Sequence, residues 1–424
     1  MFRLTIFIIV TGLQALCYAR ALRWAQQRFP GRPVARRTVT ALFALFTAGF
    51  IVALFFGRAA SILPAWLTSA LARPFYIWEG ATLGLGLAVL AGLVIAFPFR
   101  LVRAALRRNA RIRERLRLLA GHPSARRFDA SRRAFLTGGM EGLAVVSFGA
   151  ATYGVLDGRF GYQLTESTLP VRNLPAALEG FTIALVSDVH SGSFMTKKQM
   201  DGYCAAIMKL GADLIAVPGD FVNSQTEEVY PFAESFSALR APCGVYGVMG
   251  NHDFFAPDPE RVAREVDDCG VRLLRNDHAV IETKGARIAL LGIDDTGRAE
   301  RAALGMAAAL RGAPPGAVRI LLCHRPYFLD QAAAEGMDVV LSGHTHGGQI
   351  VIGRFGSVIL TPAALASPYI AGLYSKGETQ MYVSRGIGTV GLPMRINCPP
   401  ELTLLTLRRA TDDAASGAAR GRTA

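Results

Sequence analysis

Side chains that could hold metal ions recur in five short clusters. Imidazole and carboxylate together suit Mn, Fe, Co or Zn, whereas sites made only of oxygen atoms favour Mg or Ca. Five of the seven histidines of the chain lie in these clusters. The residue types therefore predict a transition-metal site. The clusters are Ser187-Asp188-Val189-His190, Pro218-Gly219-Asp220, Gly250-Asn251-His252-Asp253, His324, and Ser342-Gly343-His344-Thr345-His346.

Each cluster stands after a short apolar run rich in β-branched residues. Such runs predict buried strands, and the stretches 197–210 and 258–269 between them predict helices, which is an α/β pattern. Ligands of α/β sheets bind beyond the carboxyl ends of the strands, so we expect the clusters to converge there. The predicted strands are Phe181–Ser187, Leu214–Val217, Val245–Met249, Arg287–Gly292, Val318–Cys323, Met337–Leu341 and Met381–Ser384.

The spacing within the clusters suits a centre with two metals. Alternate residues of a strand face the same side, so Asp-x-His and His-x-His would each present two ligands together. A shared carboxylate could bridge two metals, which would clamp a phosphoryl group, activate a water and neutralise developing charge. Glycines 219, 250 and 343 would let the backbone turn tightly enough for the ligands to converge.

The order D-x-H, G-D-x-x-[DN], G-N-H-D, H, G-H-x-H resembles the calcineurin-like metallophosphoesterases, over about residues 180–407. The resemblance implies a two-sheet sandwich flanked by helices. Further motifs resemble the bacterial membrane-associated or exported phosphodiesterase branch of that family. These motifs are Gly343 to Gln349, Ser384 to Gly388, Arg395-Ile396-Asn397 and Pro399-Pro400-Glu401.

The resemblance also implies roles for individual residues. His252 would protonate the leaving group or stabilise the transferring phosphoryl group, and Asp253 would orient it. Asn223 stands where the family often has a second aspartate, which leaves the outer hydrogen bonding and the metal preference open. Two divalent ions, Mn, Fe or Zn, are implied. The first would be held by Asp188, His190, Asp220 and His346, and the second by Asp220, Asn251, His324 and His344, with Asp220 bridging.

Three further residues have two possible roles each. Asp294 and Asp295 could cap a loop or contact the substrate, and Arg325 could bind phosphate or form a surface salt bridge.

The basic charge of the chain belongs to its first part. The net charge is +14, but residues 1–160 hold 22 Lys and Arg against five Asp and Glu. The remainder is mildly acidic and therefore a poor binder of a phosphate backbone, so we expect no nucleic-acid partner.

The first part has the composition of a membrane region. Three stretches, Leu4–Leu22, Val39–Phe56 and Tyr76–Phe99, are long enough to span a bilayer, and Ala134–Leu156 is a weaker fourth. The short apolar run Ile62–Leu71 is predicted to be a loop or an interfacial segment.

The arginines predict the orientation of these stretches. Six arginines lie at the end of the first stretch or after it, only two follow the second, and twelve follow the third up to Arg133. The positive-inside rule places the arginine-rich loops in the cytoplasm and everything after the fourth stretch outside. The string Ser131-Arg132-Arg133-Ala134-Phe135-Leu136 resembles a twin-arginine export signal or is an ordinary basic flank.

We therefore expect a transmembrane region of three to four helices over residues 1–157, a catalytic domain over 158–407 and a disordered tail over 408–424. The expected activity is hydrolysis of a phosphoester, a diester in particular, at the outer face of the cytoplasmic membrane. The lipid bilayer and a phosphoester substrate, which could be lipid-linked, are the expected partners. The alternatives are a cytoplasmic pyrophosphatase of the UDP-diacylglucosamine type, a non-catalytic metal-binding membrane module, and a transporter.

Overall fold

The computed structural model describes residues 2–56, 65–295, 297, 299–356 and 358–410. The chain divides into two compact units, Met1–Leu156 and Asp157–Ala424. Most of the predicted tail lies outside the described residues, but Arg408 and Arg409 belong to the last strand and not to a tail.

The described residues of the first unit form five helices, and four of these are apolar and long enough to cross a membrane. The four candidate spans are Arg3–Arg28, Pro33–Phe55, Leu71–Leu106 and Ala134–Leu156. The helices are α1 (Phe2–Arg28), α2 (Pro33–Phe56), α3 (Ala65–Leu106), α4 (Ala110–Gly121) and α5 (Pro123–Leu156).

Helix α3 begins earlier than the sequence predicts. It starts at Ala65 and includes Pro74 and Pro98 in its interior. Of the two alternatives predicted for Ile62–Leu71, the loop is therefore wrong from Ala65 onward, while the interfacial segment stays a prediction. The first three residues of this run lie outside the described part of the chain. Neighbouring helices of a bundle can compensate for the hydrogen bonds that prolines remove, so α3 continues through both.

A buried polar group joins three helices of the first unit. Gln14 on α1 donates from Nε2 to both carboxylate oxygens of Glu79 on α3, at 3.0 and 2.8 Å. Its Oε1 accepts a hydrogen bond of 2.7 Å from Thr47 on α2. Glu79 is buried, whereas Glu141 on α5 accepts a hydrogen bond from Trp24 at an exposed position.

The second unit contains two six-stranded sheets. The first has the strand order β1-β14-β2-β3-β4-β5, and the second has the order β12-β13-β9-β8-β7-β6. The strands are β1 (Gln163–Val171), β2 (Thr182–Leu185), β3 (Leu214–Val217), β4 (Val245–Gly247), β5 (Arg272–Leu273), β6 (Asp277–Thr283), β7 (Ala286–Ile293), β8 (Val318–Cys323), β9 (Val339–Ser342), β10 (Gly353–Phe355), β11 (Val358–Leu360), β12 (Gly372–Lys376), β13 (Thr379–Val383) and β14 (Glu401–Arg409).

The two sheets enclose a common core, and helices cover their outer faces. Side chains such as Ile183 and Leu185 from the first sheet pack in one buried cluster with Leu290 and Ile320 from the second. Separate apolar clusters lie under the helices on the outer side of each sheet. These helices are α6 (Lys197–Met208), α7 (Val229–Phe236), α8 (Asn251–Phe255), α9 (Pro259–Asp268), α10 (Ala299–Leu310) and α11 (Leu329–Ala334).

The predicted two-sheet sandwich is confirmed. All seven runs predicted as strands contain one, and the stretches 197–210 and 258–269 contain α6 and α9. The prediction missed the outer strands and β14, which lies between β1 and β2 although it comes last in the described chain. Strand β14 pairs parallel with β1 and antiparallel with β2, so distant segments complete the first sheet.

Candidate metal centre

The candidate ligands lie in loops just beyond the carboxyl ends of the strands. Strand β2 ends three residues before Asp188, β3 ends three residues before Asp220, and β8 ends directly before His324. Both sheets therefore direct these loops towards one region, as the sequence predicts for an α/β protein.

The conformation of the backbone at the ligands, and not the alternation of side chains along a strand, brings the ligands together. Asp188, His190, Asp220, His344 and His346 all have φ between 47° and 70°. Residues other than glycine rarely adopt this left-handed region, and each costs on the order of 1–2 kcal/mol. The expectation that alternate strand positions present two ligands on one side is therefore wrong, because the ligands leave the strands through tight left-handed turns.

Two glycines leave room for the carboxylates. A Cβ atom on Gly250 would collide with the Asp220 carboxylate, and one on Gly343 would collide with the Asp188 carboxylate. The absence of a side chain at both positions thus permits the close approach that the sequence suggested for them.

The first group of ligand atoms comes from Asp188, His190 and His346. Each of these residues offers one atom within 4.8 Å of those of the other two, and all three are buried. The two Nε2 atoms of the histidines are 3.0 Å apart, and Nε2 of His346 is 3.4 Å from Oδ1 of Asp188.

The second group comes from Asp188, Asp220 and His324, with His344 beside it. Nε2 of His324 lies 3.1 Å from Oδ2 of Asp220 and 3.2 Å from Nδ1 of His344. The same Asp220 oxygen lies 3.4 Å from Nε2 of His190 in the first group. Asp220 therefore stands between the two groups.

The residues present fit divalent metals. Ligand atoms about 2.0–2.1 Å from a metal and at right angles to each other are about 3 Å apart, which is close to the spacings observed here. Oδ2 of Asp188 and Oδ1 of Asn251 are buried and have no hydrogen-bond partner among the described residues. Buried polar atoms are normally paired, so these two atoms indicate a ligand that the side chains await. The nitrogen and oxygen donors together suit Mn, Fe or Zn.

The protonation of the histidines suits this use. Burial lowers the pKa of His190 to about 3, and burial also lowers the pKa of His344 to about 3. Neutral imidazole nitrogens have the free lone pair that a metal requires. His324 is additionally oriented, because its Nδ1 donates to the carbonyl oxygen of Pro218 at 2.8 Å, which directs Nε2 towards Oδ2 of Asp220.

The Asp220–His324 pair shows how strongly the site attracts positive charge. Burial opposes ionisation of both groups, but their mutual attraction outweighs it. The carboxylate raises the pKa of His324 to about 10, and the pKa of Asp220 falls well below its usual range. A cation bound to the carboxylate would replace the proton on the imidazole.

His252 lies at the edge of the groups and is only half-buried. Its ring packs edge-on against that of His190, with centroids 4.6 Å apart. Nδ1 lies 2.5 Å from the backbone carbonyl of Asn223, and a carbonyl can only accept, so Nδ1 carries the proton and Nε2 is free. His252 also forms a metal-capable group with His190 and Asp220. Its exclusion from the ligand set stays a prediction.

The predicted role of Asp253 needs correction. The residue is fully buried, and its two oxygens accept hydrogen bonds from the backbone N–H groups of Asp220, Val222 and Gly250 at 2.8–3.0 Å. The carbonyl of Asn223, not Asp253, contacts the ring of His252. Asp253 is thus a positioning residue for the Asp220 loop, because backbone donors saturate its carboxylate.

Arg395 supports the turn that contacts Asp188, and the sequence analysis assigned it no role. The guanidinium is fully buried and donates to the carbonyls of Arg385, Gly386 and Gly388, at 2.8, 3.1 and 2.6 Å. Gly388 in turn donates its N–H to the carbonyl of Asp188 at 2.7 Å. Arg395 therefore holds the turn that holds a metal ligand.

The residues with two possible roles form ion pairs. Arg325 donates to Oδ2 of Asp295 at 2.6 Å, and Arg275 donates to Oδ2 of Asp294 at 3.0 Å. Asp295 also forms a metal-capable group with His324 and His344, which sequence reasoning missed. Its position two residues after the end of β7 was the available signal.

Comparisons with known proteins agree with this geometry. Residues 181–348 match the family described as calcineurin-like phosphoesterase. The chain is 30% identical to the metallophosphoesterase YkuE of Bacillus subtilis, over 66% of this chain and 98% of that protein. It is 28% identical to the phosphodiesterase YaeI of Escherichia coli, over 54% of this chain and 82% of that protein.

A third relative is a transmembrane protein with metallophosphoesterase domain from Danio rerio. The identity is 32% over 270 residues, which are 61% of this chain and 60% of that protein. The chain thus spans less than two thirds of that relative.

Proposed function

The chain belongs to the calcineurin-like metallophosphoesterase family and is a phosphoester hydrolase, and we propose that it cleaves phosphodiesters at a dinuclear metal centre. The observation that carries the proposal is the position of Asp220 between two groups of buried ligand atoms. The name of the Escherichia coli relative, a phosphodiesterase, supports the choice of diester.

In this proposal the side chains divide into two sets around Asp220. Asp188, His190 and His346 would hold one ion, while Asn251, His324 and His344 would hold the other. Two ions bound there would neutralise charge on the phosphoryl group and make water nucleophilic at neutral pH. The proposed ions are Mn, Fe or Zn.

His252 would supply the proton for the departing oxygen. Its Nδ1–H is committed to the carbonyl of Asn223, which fixes the direction of the free Nε2. In the imidazolium form, Nε2–H can donate to the leaving-group oxygen as the bond to phosphorus breaks. Its backbone N–H donates to Oδ1 of Asp220 at 2.8 Å, so the acid and the bridging carboxylate are held together.

The test is a panel of phosphoesters assayed with the full-length protein in detergent. After chelation, Mn, Fe and Zn are restored separately. We expect bis-(p-nitrophenyl) phosphate to be hydrolysed only with metal present and faster than p-nitrophenyl phosphate. Hydrolysis that survives exhaustive chelation would contradict a metal mechanism, and faster cleavage of the monoester would contradict the choice of diester.

We also propose that the catalytic unit faces the outside of the cytoplasmic membrane. The four apolar helices and the transmembrane relatives make the chain a membrane protein. The arginine-rich connections support an orientation in which the residues after Leu156 are outside. The string at 131–136 lies within α5 and would then be on the cytoplasmic side, where an export signal is read.

Reporter fusions test the orientation. Strand β14 ends at Arg409, so the fusion point should follow Ala410 and leave the strand intact. We expect alkaline phosphatase fused there to be active, and green fluorescent protein to be dark under Sec export. The opposite result would place the site in the cytoplasm and favour a pyrophosphatase acting on a nucleotide-linked lipid.

A further inference from the structure

Strands β10 and β11 form an exposed two-stranded ribbon. The register pairs Phe355 with Val358 and Gly353 with Leu360. Side chains two apart on a strand share a face, so Phe355, Val358 and Leu360 lie together on one side. All three are exposed, by 71%, 61% and 47%, and no described residue covers this face.

Such a ribbon has little reason to be stable alone in water. A two-stranded hairpin is marginal by itself, and an apolar patch on a soluble surface commonly marks an interaction site. Two further apolar residues that flank the ribbon in the chain are also exposed, Ile352 by 70% and Leu365 by 95%. These exposed apolar side chains therefore indicate that another apolar phase covers the ribbon.

The ribbon is joined directly to the metal centre. It begins seven residues after the candidate ligand His346. Thr361, just beyond β11, donates from its hydroxyl to the carbonyl of Gly348 at 3.1 Å. The loop that carries His346 and the ribbon thus form one continuous segment. An apolar phase that covered the ribbon would therefore lie near the candidate metal centre.

We propose that the apolar face of this ribbon inserts into the lipid bilayer that holds the chain. Six residues separate the end of α5 at Leu156 from the start of β1 at Gln163. A chain of that length reaches at most about 20 Å, so the bilayer is always available at high effective concentration. Arg354 lies on the opposite face, where its side chain is exposed.

The inference deepens the proposed function and rests on it for one consequence. A diesterase whose ligand loop continues into a membrane-seated ribbon would take its substrate from the lipid surface. The substrate class is then a phosphodiester carried on a lipid, and not a soluble diester that diffuses from bulk water.

The experiment places one fluorescent reporter on the ribbon and a matched one elsewhere. Val358→Cys carries the reporter on the ribbon. Val280→Cys carries it on β6, which belongs to a different sheet, at a side chain that is 44% exposed. Both full-length variants are labelled with bimane and placed one per nanodisc, with phosphatidylglycerol and phosphatidylcholine that carry brominated acyl chains. The wild-type chain, labelled in the same way, gives the background from its own cysteines.

We expect bromolipids to quench the reporter at 358 at least threefold more than the reporter at 280. Iodide in the water should quench the reporter at 280 more strongly than that at 358. A reporter at 358 that iodide reaches and bromolipid does not would overturn the proposal, because the face would be in water. A reporter shielded from both would also overturn it, because protein would then cover the face.

This readout does not depend on activity. If the ribbon is quenched by bromolipid but the protein cleaves no phosphodiester, the proposed function fails and the membrane contact stands. If the protein cleaves bis-(p-nitrophenyl) phosphate but the ribbon stays in water, the proposed function stands and the membrane contact fails.

Discussion

One buried polar group in the first unit and the candidate metal centre in the second differ in whether their side chains already have hydrogen-bond partners. In the membrane unit, Gln14, Thr47 and Glu79 satisfy one another with hydrogen bonds of 2.7–3.0 Å. In the catalytic unit, Asp188 and Asn251 keep buried oxygens with no partner in the described structure. Polar side chains that hydrogen-bond to one another, as in the first unit, hold helices together. Buried polar atoms that converge on one point without partners indicate a site for a ligand.

The contrast gives a way to separate architecture from chemistry. Glu79 and Asp188 are both buried carboxylates, and burial alone would mark either as functional. What distinguishes them is whether the surrounding side chains already use their hydrogen-bonding capacity. Changing each kind of group should therefore affect different measurements, and the predictions below run from the largest expected effect to the smallest.

Replacing the shared ligand should have the greatest effect. Asp220→Ala should reduce phosphodiesterase activity to the level of the chelated wild type, because Asp220 stands between both groups of ligand atoms. Elemental analysis should show that both metal equivalents are depleted. The surface change Asp330→Ala, at a side chain 69% exposed, is the control and should leave both measurements unchanged. Two tightly bound equivalents in Asp220→Ala would rule out the bridging role.

Removing the candidate acid should affect rate without affecting metal. His252→Asn should keep both metal equivalents and lose about 10²–10⁴-fold in kcat, the usual contribution of general acid catalysis. The loss should be larger for alkyl leaving groups than for nitrophenyl, because a basic oxygen needs the proton more. An equal loss for both would indicate an electrostatic role, and loss of metal would make His252 a ligand.

Removing the support of the turn should affect stability and activity together. Arg395→Met leaves several buried carbonyls without a donor and should lower the free energy of unfolding by about 2–5 kcal/mol. It should also lower kcat about 10- to 100-fold, as loss of an outer-shell partner does. Arg395→Lys should recover part of both losses, while Arg311→Met at the exposed end of α10 should be neutral. Unchanged unfolding of Arg395→Met would contradict the supporting role.

Changing the membrane carboxylate should have the smallest effect. Glu79→Gln retains an acceptor for Gln14, so the unfolding free energy in detergent should change by less than about 1 kcal/mol. Glu79→Leu leaves the Gln14 amide unpaired and should cost about 1–2 kcal/mol. Neither variant should change kcat. A loss of activity in Glu79→Gln would end the contrast, because the membrane group would then take part in the chemistry.

The sequence predicted the residues of the site better than the backbone turns that bring them together. Residue types and strand ends were enough to bring Asp188, His324 and His346 together, because few side chains suit metals. The left-handed turns were not predictable, since residues other than glycine rarely adopt them and no local pattern marks them. The partner of His252 was also hidden, because a backbone carbonyl such as that of Asn223 leaves no trace in residue type.

The fold beyond the central strands was hidden for a different reason. The alternation of apolar residues predicts that a segment is a strand, but not which distant segment it joins. Strand β1 pairs only with β14 among the described strands, across most of the catalytic unit. Contacts over such a separation depend on the whole chain and cannot be inferred from a local window.

That pairing also orders events during synthesis. Strand β1 follows the last apolar helix almost at once, yet its partner β14 emerges roughly 230 residues later, about 10–50 s at usual ribosome speeds. Throughout this interval β1 has no neighbour, and β2, which carries the Asp188 loop, lacks one of its two. A nascent chain at this stage presents unpaired strand edges beside a membrane, so it should need a holding chaperone until translation has passed β14. We expect metal loading to come later still, because the candidate ligands follow strands of both sheets.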